Sequence, residues 1–235
     1  MKLSIIIPVY NEEKTVQAAI NKVYQVKLPS IAKEIIVIND GSTDSSKFKV
    51  QSLKLKEVKL ISHSKNLGKG AAIRTGLKIA RGDLVVIQDA DLEYNPEDYN
   101  KLLEPILKKR ASVVYGTRLK TYPLKFWGGN KTILPTHLIA NRFLTFLTNL
   151  LYGSQLTDME TCYKIFKKEI FKKILIKSNR FDFEPEITAK ILKLNIPIIE
   201  VPIEVRPRTY MEGKKINWLD GFIAIWTLVK YKFIG

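Results

Sequence analysis

Apolar residues in the first half of the chain come in short unbroken runs, separated by longer stretches of mixed character. Leu3-Ser4-Ile5-Ile6-Ile7-Pro8-Val9, Glu34 to Ile38, Val58 to Ile61, Leu84 to Ile87 and Ser112 to Tyr115 read as strands. Between them, Glu13 to Gln25, Gly70 to Ala80 and Pro96 to Lys109 have helical spacing, the last with proline near its first turn. Short apolar runs without alternation fit strands buried on both faces. The pattern therefore predicts an α/β fold with a mostly parallel sheet and helices on both faces. The second half reads differently: Leu134 to Tyr152 is long and apolar, Lys167 to Leu175 and Glu184 to Leu194 look helical, and Ile196 to Val205 looks extended. Trp218 to Phe233 is a helix in which aromatic and lysine residues mix, which suits either a membrane interface or a helix packed on the core.

In open parallel sheets ligands bind beyond the carboxyl ends of the strands. That rule gathers Tyr10-Asn11-Glu12, Asn39-Asp40-Gly41, Asp89-Ala90-Asp91 and Gly116-Thr117-Arg118 on one rim. Asp89 and Asp91 stand one residue apart after a strand, where two carboxylates can share a hard cation such as Mg²⁺ or Mn²⁺ that also holds a diphosphate. Glu93 is close enough to help; an acidic turn gives the same triplet. Asp40 can accept hydrogen bonds from a nucleobase or ribose, or simply belong to an Asp-Gly turn. Lys65 to Gly70 opens a helix with two glycines and Lys69, and Arg74 lies one turn on, so the segment reads as a phosphate site or a solvated turn. The Gly-x-Gly-x-x-Gly and Walker A patterns are missing, which argues against a dinucleotide cofactor and a P-loop enzyme.

Composition narrows the partners. The 235 residues suit one sizeable domain, and 39 basic against 23 acidic side chains give a formal charge of +16. Such an excess favours phosphorylated substrates or an anionic membrane face, or is a solubilising surface. No pattern of a nucleic-acid-binding module is present, so nucleic acid is not an expected partner. A lone cysteine, Cys162, excludes an intrachain disulfide, and two histidines make structural zinc a poor fit. Neither a secretory signal nor a run of about 20 apolar residues is visible. The expectation is a cytoplasmic protein that meets a membrane from its surface or through a separate membrane protein.

In series, Ile6-Ile7-Pro8-Val9-Tyr10-Asn11-Glu12, Ile38-Asn39-Asp40-Gly41-Ser42-Thr43-Asp44, Asn66-Leu67-Gly68-Lys69-Gly70 and Gln88-Asp89-Ala90-Asp91 closely resemble the family 2 glycosyltransferases of GT-A, Rossmann-like fold. The remainder resembles the branch that loads sugars onto polyprenyl phosphates, such as dolichol-phosphate mannose or glucose synthases. The supporting stretches are Tyr115 to Arg118, Thr157 to Lys164, and Val201-Pro202-Ile203 leading to Arg208 and Gly213-Lys214-Lys215. The resemblance implies a single catalytic domain over 1–235. Its nucleotide-sugar half would be 1–118, and its acceptor half 119–235, with interfacial helices at about 134–152 and 218–233. It implies a nucleotide pocket lined by Pro8, Tyr10, Glu12, Asp40 and Lys69, with Asp89, Ala90 and Asp91 at the diphosphate and Asp89, Asp91 and Glu93 at the metal. Arg118 and Arg208 would hold the acceptor phosphate, with His137 and Asn141 as further candidates. Some mannose synthases carry glutamine where Glu93 stands, and the family's frequent C-terminal transmembrane helices are missing.

The expected reaction is inverting transfer of a hexose from a UDP- or GDP-linked donor to a polyprenyl or dolichyl phosphate. Asp91, Asp158 and Arg118 are the expected catalytic residues. Asp158 would be the base for a hydroxyl acceptor, would orient sugar or lipid for a phosphate acceptor, or would cap a turn. Phe183-Glu184-Pro185-Glu186 lines a sugar pocket or caps a helix. Competing readings are a cytosolic glycosyltransferase acting on a soluble glycan or protein hydroxyl, a nucleotidyltransferase, and a non-catalytic basic nucleic-acid-binding module.

Overall fold

The computed structural model describes residues 1–120, 135–208 and 218–234. The Gly213-Lys214-Lys215 segment lies outside them. Strands β1 (Lys2–Val9), β2 (Ala32–Asn39), β3 (Val58–Ser62), β4 (Leu84–Ile87), β5 (Val113–Thr117), β6 (Lys164–Lys167) and β7 (Ile198–Pro202) form one sheet in the order β3-β2-β1-β4-β6-β5-β7. Every pairing is parallel except those of β6, which runs antiparallel between β4 and β5. The central strands carry unbroken apolar runs because the sheet buries both faces: Ile5 to Ile7, Ile35 to Ile38 and Leu84 to Val86 are inaccessible to solvent.

The helices are α1 (Val16–Gln25), α2 (Ser46–Ser52), α3 (Lys69–Ile79), α4 (Tyr99–Leu107), α5 (Pro135–Tyr152), α6 (Phe183–Lys193) and α7 (Trp218–Phe233). α3 packs on β1 and β2, and α4 on β5 and β7. A second apolar cluster joins the last three helices through Leu144, Met159, Ala189, Ala224, Leu228 and Tyr231. Tyr152 ties it by donating its hydroxyl to the Leu228 carbonyl at 2.7 Å.

Several boundaries differ from the sequence expectation. α1 starts at Val16 rather than Glu13, because residues 11–13 are drawn into contacts with the loop after β2. α2 was not expected: of its apolar residues Val50 is buried while Phe48 is 70% exposed, so no apolar stripe marks it. Lys167 to Leu175 was expected to be a helix. It is instead the last residue of β6 followed by a short 3-10 turn, Lys168–Lys172.

Candidate active site

The carboxyl ends of β1 and β2 are stitched together by side chains. Asn11, at φ 50°, turns the chain out of β1, and its Oδ1 accepts the Thr43 N–H at 2.9 Å. Ser46 Oγ accepts the Glu12 N–H at 2.8 Å, and Asp44 accepts that of Glu13 at 3.0 Å. Glu12 is thereby fixed at the rim. Pro8 and Tyr10 lie partly buried beside it.

Asp40 is buried and gives both oxygens to the protein itself. Oδ1 accepts the Leu67 N–H at 3.0 Å, Oδ2 accepts that of Gly68 at 2.7 Å, and His63 Nδ1 lies 2.7 Å from Oδ1. Gly41 follows at φ +66°, and a Cβ there would fall 2.3 Å from the Lys65 carbonyl carbon. The Asp40-Gly41 turn therefore shapes the loop that leads into α3. Arg74 does not point to this loop as expected: its guanidinium donates to the carbonyls of Lys177 and Ser178 and to Asn179 Oδ1.

Lys69, the first residue of α3, bridges two carboxylates, with Nζ 3.0 Å from Asp89 Oδ1 and 3.0 Å from Glu184 Oε1. Burial acts to discharge the ammonium, but these two carboxylates outweigh it and keep it charged. Lys69 in turn holds the Asp89 carboxyl below its usual range, against the opposing effect of burial. Asp91 is driven the other way, to about 7, by burial first and then by the negative charges of Asp89 and Glu93. Ala90 is buried between them.

Arg208 answers this crowding of carboxylates. Its Nη2 lies 3.2 Å from Asp91 Oδ2, its Nη1 3.1 Å from Glu12 Oε2, and its Nε 3.7 Å from Glu93 Oε1. Its backbone is anchored too, since the Arg208 N–H donates to Glu93 Oε1 at 3.1 Å and the Arg206 N–H to the Glu93 carbonyl at 2.9 Å. Arg208, expected at an acceptor phosphate, is thus folded back onto the residues expected to hold a cation. Among the described residues no three acidic, histidine or cysteine side chains converge on one point. Glu12, Asp91 and Glu93 instead surround the guanidinium. The donor set is nonetheless all hard oxygen, carries excess negative charge and already hosts a positive group, which fits Mg²⁺ or Mn²⁺.

Across the rim, Arg118 and Asp158 make a two-pronged pair. Arg118 Nε donates to Oδ2 at 2.7 Å and Nη2 to Oδ1 at 2.8 Å, and the Arg118 backbone N–H adds a third bond to Oδ2 at 2.9 Å. Asp158 is fully buried. Its loop is held from β7, where Glu200 accepts the N–H groups of Thr157 and Asp158 at 2.9 and 3.0 Å, and from α5, where Thr145 Oγ1 accepts the Met159 N–H at 3.1 Å. His137 and Asn141 are half-buried on the first turns of α5. Of the Phe183 to Glu186 stretch, Glu184 faces Lys69, while Glu186 accepts the N–H groups of Lys177 and Ser178 and is structural.

Some residues that build the site carry no local signal. Gln88 accepts hydroxyl hydrogens from Tyr99 and Tyr163, and donates to the Asp89 carbonyl at 2.9 Å, fixing the acidic turn from below. Glu200 sits in a strand of otherwise apolar character. Lys164 is fully buried, its ammonium bonded to the Thr161 carbonyl and lying 4.8 Å from the Tyr115 ring centre.

These features define an α/β protein with an acidic, cation-seeking cluster at the carboxyl edge of its sheet. The chain belongs to glycosyl transferase family 2, whose model matches residues 4–175, and is therefore a glycosyltransferase. It is 31% identical to the UDP-N-acetylglucosamine–dolichyl-phosphate N-acetylglucosaminyltransferase of Methanococcus voltae, over 97% of this chain and 95% of that one. It is 28% identical to the dolichyl-phosphate beta-glucosyltransferase of Dictyostelium discoideum, over 92% of this chain and 68% of that one. Among solved structures, glucosyl-3-phosphoglycerate synthase from Mycobacterium tuberculosis superposes with a TM-score of 0.75 at 20% identity, over 100% of this chain and 81% of that one. That likeness shows the GT-A-like fold. The same synthase has been solved with Mn²⁺, uridine diphosphate and phosphoglyceric acid.

Apolar side chains are exposed on two neighbouring helices. Phe143, Phe146 and Leu150 on α5, and Trp218, Phe222 and Trp226 on α7, are each more than half exposed. Among the described residues no helix is long and apolar enough to cross a membrane.

Proposed function

We propose that the protein transfers a hexosyl group, with inversion, from a UDP- or GDP-linked sugar to the phosphate of a polyprenyl or dolichyl lipid. The observation that carries the acceptor assignment is the Arg118–Asp158 pair. A hydroxyl acceptor needs a free carboxylate to take its proton, and both oxygens of Asp158 are buried against Arg118. A phosphate monoester is largely dianionic at pH 7 and needs no base. Its oxygen attacks the anomeric carbon while the bond to the nucleoside diphosphate breaks and its electron pair leaves with the diphosphate. The dolichyl-phosphate specificity of the named relatives supports the same acceptor.

In this reading the carboxyl edge around Pro8, Tyr10, Glu12 and the Asp40-shaped loop takes the nucleotide. Lys69 and Asp89 lie at the diphosphate and sugar. Asp89, Asp91 and Glu93 would hold Mg²⁺ or Mn²⁺, which supplies charge compensation for the leaving diphosphate. Arg208, released from Glu12 and Asp91, joins Arg118 in holding the acceptor phosphate, because guanidinium forks match phosphate oxygens. His137 and Asn141 flank the same side. Residues 1–118 and 119–235 act as donor and acceptor halves of one catalytic domain. The exposed faces of α5 and α7 rest on the cytoplasmic membrane surface, aided by the net positive charge, each basic residue near an anionic surface contributing about 1 kcal/mol.

The test is a screen of UDP- and GDP-sugars with Mn²⁺ or Mg²⁺ and a short polyprenyl phosphate, read by mass spectrometry. A lipid-phosphate-sugar product that Asp91→Ala abolishes is expected. Transfer to soluble glycan or protein hydroxyls, with none to the lipid phosphate, would overturn the acceptor assignment.

A further inference from the structure

The Glu160 carboxylate is half-buried, and among the described residues its Oε1 finds no hydrogen-bond donor. That oxygen is out of contact with solvent. Leaving a carboxylate oxygen unmet in the interior is costly, so a persistent orphan of this kind needs an explanation. Slack in the chain does not supply one, because the backbone on either side is pinned: Asp158 N–H to Glu200, Met159 N–H to Thr145, and Cys162 N–H to the Tyr94 hydroxyl at 3.0 Å.

The charges that act on Glu160 come from both sides of the site. Glu184 belongs to the Asp89–Lys69–Glu184 chain, Arg118 and Asp158 form the opposite pair, and Lys164 acts on it as well. Burial, and then Glu184, make the ionised form of Glu160 unfavourable while its Oε1 accepts no hydrogen bond among the described residues. Lys164 does not meet the need: its ammonium bonds to the Thr161 carbonyl, and among the described residues none of its hydrogen bonds reaches Glu160. The neighbouring Thr161 hydroxyl is buried and unpaired as well, so the partner that fits here is an uncharged hydrogen-bonding group able to donate. A second metal ion is disfavoured by Lys69, Lys164 and Arg118, and a phosphate dianion offers acceptors only. A sugar offers hydroxyl donors.

Resting on the nucleotide-sugar reading above, we infer that Glu160 is a specificity-determining residue of the sugar subsite, accepting a hydrogen bond from a hydroxyl of the donor hexose. It acts on the hexosyl part of the donor and not on the nucleotide.

The test compares affinities for the nucleoside diphosphate and the intact nucleotide sugar, measured by calorimetry with Mn²⁺ for UDP, UDP-glucose and UDP-N-acetylglucosamine, and for GDP and GDP-mannose. At pH 8, where the Glu160 carboxyl is ionised, the ratio of sugar-nucleotide affinity to nucleotide affinity should fall about tenfold in Glu160→Ala against wild type, the scale of a hydrogen bond to a charged group. Glu160→Gln, which keeps the shape and one acceptor, should show a smaller fall and covers the case in which the alanine variant folds poorly. Mono-deoxy donor analogues should bind wild type less well at one hydroxyl position and be indifferent to Glu160→Ala at that position. An unchanged ratio in both variants, with nucleotide binding intact, overturns this inference alone. Failure of the wild-type protein to bind either nucleotide overturns the donor reading and this inference with it.

Discussion

Arg208 and Asp91 are 117 positions apart in the chain, yet the Arg208 Nη2 lies 3.2 Å from Asp91 Oδ2, where it compensates the most crowded carboxylate of the site. The same guanidinium reaches Glu12, which is why one arginine can hold two strand ends and the acidic turn together. A guanidinium seated there competes with any cation for the same oxygens. Arg208→Ala should therefore bind Mn²⁺ more tightly, by on the order of tenfold, the scale of one charge-assisted hydrogen bond. Titration followed by electron paramagnetic resonance measures this. Weaker binding would mean that Arg208 helps to shape the metal site.

Breaking a buried ion pair leaves the surviving charge without compensation. Asp158→Ala should lower stability by about 3–5 kcal/mol in denaturant unfolding, and Arg118→Ala by a similar amount. The milder Arg118→Lys keeps the charge but loses the fork. It should raise KM for the lipid acceptor several-fold and leave donor affinity unchanged, which steady-state kinetics with each substrate varied would show.

Glu34 gives the protein an acid-labile anchor. Burial works against its ionised form, but hydrogen bonds from Ser4 Oγ and the Arg81 N–H, both at 2.6 Å, and the charge of Lys2 outweigh this and hold it at about 2. The unfolded carboxyl titrates at about 4.3. Its contribution is complete above that value and is lost as the pH falls from there toward 2. Glu34→Gln should melt lower than wild type at pH 7, with the difference shrinking as the pH is taken down to 3, measured by circular dichroism.

Glu160 has the opposite sign. Its folded value is raised to about 7, by burial and then by Glu184, with Lys164 and Arg118 opposing and Asp158 adding to the rise. Between about 4.3 and 7 the unfolded chain gives up this proton while the folded one keeps it, so stability drops across that window and is level above it. Relative to wild type, the melting temperature of Glu160→Gln should climb from pH 4.5 to pH 7.5. A constant difference across the range would contradict this.

The exposed aromatic residues of α7 make no contribution to the core, so removing them should cost little stability. A Trp218→Ser, Phe222→Ser, Trp226→Ser variant should keep its melting temperature within a few degrees and float with anionic vesicles far less than wild type. Equal flotation would place membrane contact elsewhere.

Much of the rim was legible in sequence because parallel strands buried on both faces are continuous apolar runs, and the chain must turn polar where they end. β1, β2 and β4 and the acidic triplet followed from that rule. β6 did not, since Lys164-Ile165-Phe166-Lys167 is short, flanked by lysine and joined to a segment with helical composition. It is a strand because it pairs antiparallel with both β4 and β5, strands distant from it in the chain. The stretch from Phe183 shows the same limit: nothing local tells Glu184, paired to Lys69, from Glu186, which holds backbone N–H groups.

By itself the sequence determined the α/β class, the four polar strand ends that gather at one edge, and the family, because periodicity and local motifs are properties of neighbouring residues. Tertiary structure decided the partnerships: Arg208 on Asp91 and Glu12, Arg118 on Asp158, Asp40 on the loop before α3, and Glu160 Oε1 with no donor among the described residues. These depend on distances between residues far apart in the chain and on what burial costs each charge, and neither quantity exists until the sheet has closed.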